Sequence, residues 1–284
     1  MYVLKVPNFN LEHIFQSCQD VYIRRIFGFE RSGYMFFFGE HMVKVEQQED
    51  RVLFSCDDDT FYDVWFDFFD LSTDYAELNS VAHRSRSEIS VAARSCSGLH
   101  LLRQEPFDVV LKELMFVGRS PRDAKECLKS IAEASTEERG KTLKGYGYLR
   151  WHPLPNPDQL ESSLELLDWF CDPLTVSQCV SLIEWAKCHR KLLVNPEGHS
   201  KIEVSTELHK LIDNDHVVNR MMAYGWHFHD VDVTSKKQDR LIQRQTGVDV
   251  ETLVKFEFGG WQRKQSYVGT LLARQQAIKN RKGR

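Results

Sequence analysis

The stretch Trp65-Phe-Asp-Phe-Phe-Asp-Leu-Ser-Thr-Asp-Tyr75 lies between two parts of the chain that differ in hydrophobic period. Before it, short runs rich in aromatic and β-branched residues begin at positions 34, 42 and 51, with turn residues between them. This spacing is typical of an antiparallel meander. From about residue 74 onwards, apolar residues recur with the helical period. The sequence therefore predicts an α+β fold, with a small N-terminal antiparallel sheet packed on a helical bundle.

The same change of period sets the predicted domain boundary. We expect an antiparallel β domain over residues 1–79 and a helical domain over residues 80–284. Asn10 and Ser120 are of the residue types that cap helix N-termini, and each precedes a helical pattern. Further helices are expected at about 158–170, 174–191, 201–212 and 215–226, and a last one at about 261–280.

Composition excludes several classes of protein. No apolar run is long enough to span a bilayer, and the first residues do not have the pattern of a signal peptide. The seven cysteines are spread singly, without a Cys-x-x-Cys pair, and no phosphate-binding glycine loop is present. We therefore expect a cytoplasmic monomer that has no membrane partner, no metal site and no cofactor.

Charge is distributed unevenly along the chain. Residues 1–80 hold 15 acidic and 6 basic side chains, whereas residues 261–284 hold 7 basic side chains and no acidic one. A basic end on an acidic body is either a polyanion-binding element or a solvated terminal helix. The candidate DNA-binding residues of this end are Lys264, Arg274, Lys279, Arg281 and Lys282.

Four segments together resemble the 8-oxoguanine DNA glycosylase family, in the same order and with similar spacing. They are Asn8-Phe-Asn-Leu-Glu-His-Ile-Phe-Gln-Ser-Cys-Gln19, the stretch from Trp65 to Tyr75, Gly98-Leu-His-Leu-Leu-Arg-Gln-Glu-Pro-Phe-Asp108 and Pro153-Leu-Pro-Asn-Pro-Asp-Gln-Leu160. The resemblance is specific over about residues 8–160 and weak afterwards. It implies a double-stranded DNA partner and a nucleotide extruded from the stack into a pocket, since chemistry on a base is blocked inside the duplex.

The resemblance also implies a helix-hairpin-helix, here near residues 191–212. The family hairpin reads roughly Leu-Pro-Gly-Val-Gly-x-Lys, and Val194-Asn-Pro-Glu-Gly-His-Ser-Lys201 is similar to it. Lys201 then matches the family lysine that attacks the sugar, provided that the hairpin survives, and Asp213 or Asp215 matches the assisting aspartate. The alternatives are a surface lysine in a first helical turn and an Asp213-Asn-Asp215 helix cap.

Departures from the family pattern bear on the substrate. Glu197 and His199 replace the two hairpin glycines, so the candidate backbone-binding residues here are Gly198 and His199. Cys18 replaces the glycine whose carbonyl reads the oxidised purine in the family. The run Gly118-Arg119-Ser120 replaces the asparagines that contact the partner base, although Arg119 remains a candidate DNA contact. These changes argue against 8-oxoguanine as the substrate.

The base pocket is predicted from both ends of the chain. Cys18 and Gln19 match the purine-reading segment, and Trp261, Gln265 and Tyr267 resemble the pocket-lining C-terminal helix of the family. The aromatic side chains would stack on an extruded base. The alternative is that they are core residues.

An intact scaffold with an eroded excision site resembles the glycosylase-like proteins of some bacteriophages. That likeness implies an enzyme that transfers an amino acid or amine to an activated 5-hydroxymethyl pyrimidine in DNA, in the host cytoplasm if the protein is phage-encoded. The alternatives are a divergent glycosylase/lyase that uses Lys201 and a non-catalytic binder of modified bases.

Overall fold

The structure, a computed structural model, describes residues 1–16, 20, 22–27, 32–49, 51–76, 97–143 and 145–228. Five antiparallel strands near the N-terminus form one sheet, and most of the rest is helical, so the predicted α+β class is confirmed. The predicted boundary between residues 79 and 80 lies outside the described residues. None of the helices described is both long enough and apolar enough to cross a membrane.

The sheet has the strand order β1-β5-β4-β3-β2. Its strands are β1 (Tyr2–Lys5), β2 (Arg24–Phe27), β3 (Ser32–Phe38), β4 (His41–Gln48) and β5 (Arg51–Phe54). Tyr34 lies opposite Val45 on the neighbouring strand, and the β3–β4 pairing continues to Phe38 opposite His41. The three strands of the predicted meander are β3, β4 and β5. A separate two-stranded hairpin consists of β6 (Arg139–Leu143) and β7 (Gly147–Trp151).

Most of the helices come after the five strands of the sheet along the chain, and one short helix lies between the first two strands. They are α1 (Leu11–Gln16), α2 (Asp58–Thr60), a π-helical turn (Phe61–Trp65), α3 (Phe66–Phe68), α4 (Pro106–Phe116), α5 (Pro121–Ser135), α6 (Pro157–Ser162), α7 (Leu164–Phe170), α8 (Pro173–Cys188), α9 (Arg190–Val194), a 3-10 turn (Pro196–Gly198), α10 (Lys201–Leu211) and α11 (Asp215–Gly225). Asn10 accepts from the amide of His13 and Ser120 accepts from the amide of Asp123, so both predicted N-caps are confirmed.

The chain divides into two compact units. Of the described residues, the first unit contains those within 1–20, 46–103 and 227–228, and the second contains those within 22–45 and 104–226. The core of the first unit is aromatic: Phe61 stacks on Tyr2 with ring centroids 3.9 Å apart, and Phe54 meets Phe61 and Phe69 edge-on. The second unit contains α4 to α11, and Glu113 of α4 pairs with Arg220 of α11 at 2.8 Å.

A buried polar network in the first unit surrounds the carboxylate of Asp70. The hydroxyl of Tyr75 donates to Asp70 at 2.6 Å, and Arg103 Nε donates to the same carboxylate at 3.2 Å. His100 stacks on Tyr75 at 4.0 Å between centroids, and its ring nitrogens lie 3.0 Å from the Phe69 carbonyl and 3.2 Å from the Asn8 carbonyl. The imidazole is fully enclosed, and burial lowers the pKa of His100 to about 4.

Burial of His100 predicts a loss of stability in acid. Between pH 6.5 and pH 4 the unfolded chain binds a proton at this ring and the folded chain does not, so the free energy of unfolding falls as pH decreases. A shift of this size corresponds to about 3 kcal/mol across that window, with no contribution from His100 above it. Urea unfolding at pH 7, 5.5 and 4.5 measures the slope, which His100→Gln should flatten.

The matched control is His41→Gln, because His41 lies exposed at the start of β4. This variant should keep the wild-type slope of stability against pH. A His100→Gln slope as steep as that of the wild type would contradict a neutral, buried imidazole at this position.

Candidate nucleic-acid interface at the hairpin

The segment Asn195–Ser200 joins two helical arms in the second unit, and we call it the hairpin. Helices α8 and α9 lead into it and α10 leads out of it. Two tryptophan indoles form hydrogen bonds to these arms. Trp185 Nε1 donates to the Glu207 carbonyl of α10 at 2.9 Å. Trp226 Nε1 donates to the Leu192 carbonyl of α9 at 3.1 Å. Two helical arms joined by a short turn therefore occupy the segment for which the sequence predicts a helix-hairpin-helix, and a DNA-binding motif at this place stays a prediction.

The middle of the hairpin is a 3-10 turn closed by the amide of Gly198, which donates to the Asn195 carbonyl at 3.1 Å. A Cβ atom at position 198 would lie 2.5 Å from the side-chain amide of Asn195, a flexible group that would have to move to make room for it. Gly198 is exposed, and the lack of a side chain there allows a ligand to approach the backbone closely.

His199 is held against the arms of the hairpin. Its Nε2 atom lies 3.2 Å from the Lys191 carbonyl of α9, and its Nδ1 atom lies 3.0 Å from the Glu203 carboxylate of α10. Both neighbours are acceptors, so a neutral ring donates to one of them at a time. The imidazole of His199, at a position where the family pattern has a glycine, therefore packs back against the protein and links α9 to α10.

Lys201 is the first residue of α10 and is partly buried. Ser200 is the N-cap of this helix, and its hydroxyl accepts from the amide of Glu203 at 3.3 Å. The first amides of a helix have no intrahelical acceptor, and together with the helix dipole they favour an anion at this end. Lys201 therefore lies in a first helical turn, as both the nucleophile and the surface-lysine interpretations require.

The candidate aspartates do not cap α11 themselves. The N-cap is Asn214, whose side chain accepts from the amide of Val217 at 3.2 Å. Asp215 is exposed, and its carboxylate lies 2.9 Å from His209 Nε2, a hydrogen bond that raises the pKa of His209. Asp213 is also exposed. The middle residue of Asp213-Asn-Asp215 is therefore the cap, and it carries an amide in place of a carboxylate.

Arg119 lies at the end of α4 with its guanidinium turned inward. Its side chain is only 7% exposed, and it donates to Gln178 at 2.6 Å, to Thr175 at 2.8 Å and to Asp172 at 3.5 Å. Asp172 is the N-cap of α8, so Arg119 fixes the start of the helix that leads towards the hairpin. A DNA contact by Arg119 stays a prediction, and in this arrangement the side chain organises α8.

Several predicted site residues cannot be located. The base-pocket candidates Cys18, Gln19, Trp261, Gln265 and Tyr267 lie outside the described residues, as do Lys264, Arg274, Lys279, Arg281 and Lys282. Lys201, Gly198 and His199 are brought together by the hairpin. The predicted roles of all these residues stay predictions. The structure confirms the helix cap at Asp213-Asn-Asp215 and assigns it to Asn214, which the sequence did not single out because its two acidic neighbours are equally good N-caps.

Comparison with known proteins relates both the sequence and the fold to DNA glycosylases. Residues 1–110 match the family model of the 8-oxoguanine DNA glycosylase N-terminal domain. No curated protein matches the sequence. The fold is similar to that of the 8-oxoguanine glycosylase/lyase of Clostridium acetobutylicum in its apo-form, with a TM-score of 0.73, 19% identity and 94% of each chain covered.

Two further solved structures extend this likeness. The same Clostridium enzyme in complex with double-stranded DNA containing cytosine opposite 8-oxoguanine matches with a TM-score of 0.72 and 19% identity, over 96% of this chain and 94% of that one. The 3-methyladenine DNA glycosylase from Archaeoglobus fulgidus matches with a TM-score of 0.63 and 12% identity, over 94% and 97%. The chain therefore has the fold of DNA glycosylases.

The capping assignment at α11 predicts which substitution destabilises the protein. Asn214→Ala should lower the free energy of unfolding by about 1 kcal/mol, because the Val217 amide loses its acceptor, whereas Asn214→Asp should preserve it. Urea denaturation at pH 7 measures both. The control Asp213→Ala should change stability by less than about 0.5 kcal/mol, and an equal loss at Asp213 would place the cap there instead.

Proposed function

We propose that this chain binds double-stranded DNA through the hairpin, accommodates an extruded base and acts as a divergent DNA glycosylase/lyase with Lys201 as the amine nucleophile. The observation that supports this most directly is that Lys201 begins α10 immediately after a formed hairpin. The lysine assignment requires a turn that forms despite Glu197 and His199. The indole hydrogen bonds between the helical arms and the contact of His199 with α9 support such a turn.

The charge around the hairpin also favours a phosphate partner. Residues 187–201 contain Lys187, Arg190, Lys191 and Lys201 against a single acidic residue, Glu197. Basic side chains beside helix N-terminal amides bind phosphates in proteins that contact the DNA backbone. A DNA strand held at the hairpin would bring its sugar close to the start of α10, where Lys201 lies.

The proposed chemistry needs an unprotonated amine. Lys201 Nζ attacks C1′ of the extruded nucleotide, the N-glycosidic bond breaks, and the base leaves with the bonding electron pair and takes up a proton. The amine loses its protons as the sugar ring opens, and the C1′–Nζ bond becomes an imine. At an abasic site the base is already gone, so the amine adds to the C1′ aldehyde and water leaves.

An abasic duplex therefore isolates the reactivity of Lys201 from base recognition. With borohydride, which reduces an imine to a stable amine, the wild type should form a covalent adduct with this DNA and Lys201→Gln should form none. Lys210→Gln is the matched control, because Lys210 lies in the last turn of the same helix and is exposed. Denaturing gel electrophoresis measures the adduct, and DNA binding by each variant is measured in parallel.

A duplex with cytosine opposite 8-oxoguanine should give no adduct with the wild type, since Cys18 and Gly118-Arg119-Ser120 replace the groups that read this pair in the family. Unchanged adduct formation by Lys201→Gln on the abasic duplex would rule out this lysine as the nucleophile. Loss of the adduct together with loss of DNA binding would indicate misfolding, which the parallel binding measurement detects.

A second candidate function is transfer of an amino acid or amine to an activated 5-hydroxymethyl pyrimidine in DNA. A cleft of about 910 Å³ in the second unit favours it, with carboxylates at Glu105, Glu137 and Asp158 along its wall. Glu105 forms no side-chain hydrogen bond or ion pair within the described residues, and such a carboxylate suits an ammonium group.

In this reaction the free amine attacks the 5-methylene carbon, a C–N bond forms, and the activating group leaves with its oxygen while the nitrogen loses a proton. Mass spectrometry of nucleosides from activated DNA incubated with the protein and candidate amines tests it. Transfer predicts a new nucleoside that Lys201→Gln still produces and Glu105→Gln reduces. A free base with an unmodified nucleoside pool would support the glycosylase and contradict transfer.

A further inference from the structure

Helix α7 exposes a cluster of large apolar side chains. Leu166, Trp169 and Phe170 are 51%, 84% and 72% exposed, and Leu174 at the start of α8 is 51% exposed. Positions 166, 169 and 170 have the i, i+3, i+4 spacing that places side chains on one face of a helix. We call these four residues the aromatic patch. Leu167 is fully buried, so α7 already has a core-facing side, and the patch is a second apolar face.

A group of apolar side chains of this kind is unusual on a solvent-exposed surface. Single exposed hydrophobic residues are common, but contiguous groups with polar rims mark interaction sites. Tryptophan and phenylalanine contribute most strongly to binding when a partner covers them, because their burial removes a large apolar area from water. The aromatic patch therefore has the composition of the centre of an interface.

The sequence around the patch is acidic, since residues 151–186 contain six Asp or Glu residues and no Lys or Arg. Two of these carboxylates, Glu161 and Asp172, pair with Lys187 and Arg119. Glu165 and Asp168 lie on α7 itself, and neither forms a hydrogen bond or ion pair through its side chain with any residue in the described ranges. Carboxylates at this spacing repel DNA phosphates, so the patch is unsuited to a nucleic acid.

We propose that the aromatic patch is a docking surface for a second protein, which presents a helix with an apolar face flanked by lysine or arginine. The apolar face of such a helix covers Trp169 and Phe170, and its basic flanks meet Glu165 and Asp168. The second unit would then have a proposed nucleic-acid surface at the hairpin, where Arg190, Lys191 and Lys201 flank the turn, and a separate protein surface at the aromatic patch. This inference is independent of the chemistry proposed for Lys201.

The test uses the full chain and a defined probe. The probe is a fluorescent 18-residue peptide with leucines at i, i+3, i+4 and i+7 and lysines on both flanks, alongside a scrambled peptide of the same composition. Fluorescence anisotropy at 50 and 300 mM salt should show binding of the patterned peptide, weakened at high salt because the flanking contacts are ionic. The scrambled peptide should bind at least tenfold more weakly.

Substitutions should locate the binding on the patch. Trp169→Ala and Phe170→Ala should each weaken binding of the patterned peptide tenfold or more, and Asp168→Lys about fivefold. Phe27→Ala is the matched control, since Phe27 is a 75% exposed aromatic residue that lies on β2 and not on α7 or α8, and it should bind as the wild type does. Thermal unfolding of each variant verifies that the fold is intact.

Three outcomes would overturn the proposal. Equal binding of the patterned and scrambled peptides, or no binding of either, would show that the patch does not recognise a basic amphipathic helix. Weaker binding of duplex DNA by Trp169→Ala, with normal peptide binding, would assign the patch to the DNA interface. A wild-type dimer that Trp169→Ala converts to a monomer would identify the occupant as a second copy of this chain.

Discussion

The buried carboxylate of Asp70 holds together separate segments of the first unit. A charge without access to water needs partners, and Asp70 has Tyr75, Thr73 and Arg103 within hydrogen-bonding distance. Tyr75 in turn accepts from the amide of Leu101, so one carboxylate fixes both the turn that follows α3 and the segment that begins at Gly98. The spacing of Asp70, Thr73 and Tyr75 in the sequence reflects this requirement, because both hydroxyl groups reach the same buried carboxylate.

Elements governed by local chemistry were predictable from the sequence, and elements governed by distant partners were not. The caps at Asn10 and Ser120 depend on neighbouring amides, and both were predicted correctly. Strand β1 was missed, because four residues gain their strand conformation only by pairing with β5, about fifty residues later. The helix expected at about 158–170 is interrupted at Ser163, whose hydroxyl is buried and bonded to Ser135, a partner that no local pattern indicates.

The residues of the candidate site also fall into those that local sequence predicts and those that depend on distant partners. The position of Lys201 in a first helical turn was predictable, since Ser200 and Glu203 follow the pattern of a capped helix start. The inward orientation of Arg119 was not, because its acceptors at positions 172, 175 and 178 lie more than fifty residues away in the chain. The selection of Asn214 over its acidic neighbours also required three-dimensional structure, since all three residue types cap helices well.

The start of α11 bears on the class of reaction that we propose. An amine nucleophile and an assisting carboxylate do different work, since the amine forms the new bond and the carboxylate takes up or stabilises charge as the old bond breaks. In the proposed reaction Lys201 is the amine, and the candidate carboxylates are Asp213 and Asp215, both exposed, of which Asp215 is hydrogen-bonded to His209. Reaction at an abasic site makes the smaller demand on these carboxylates, because no glycosidic bond breaks there. Loss of either carboxylate would therefore affect base release more than reaction at an abasic site.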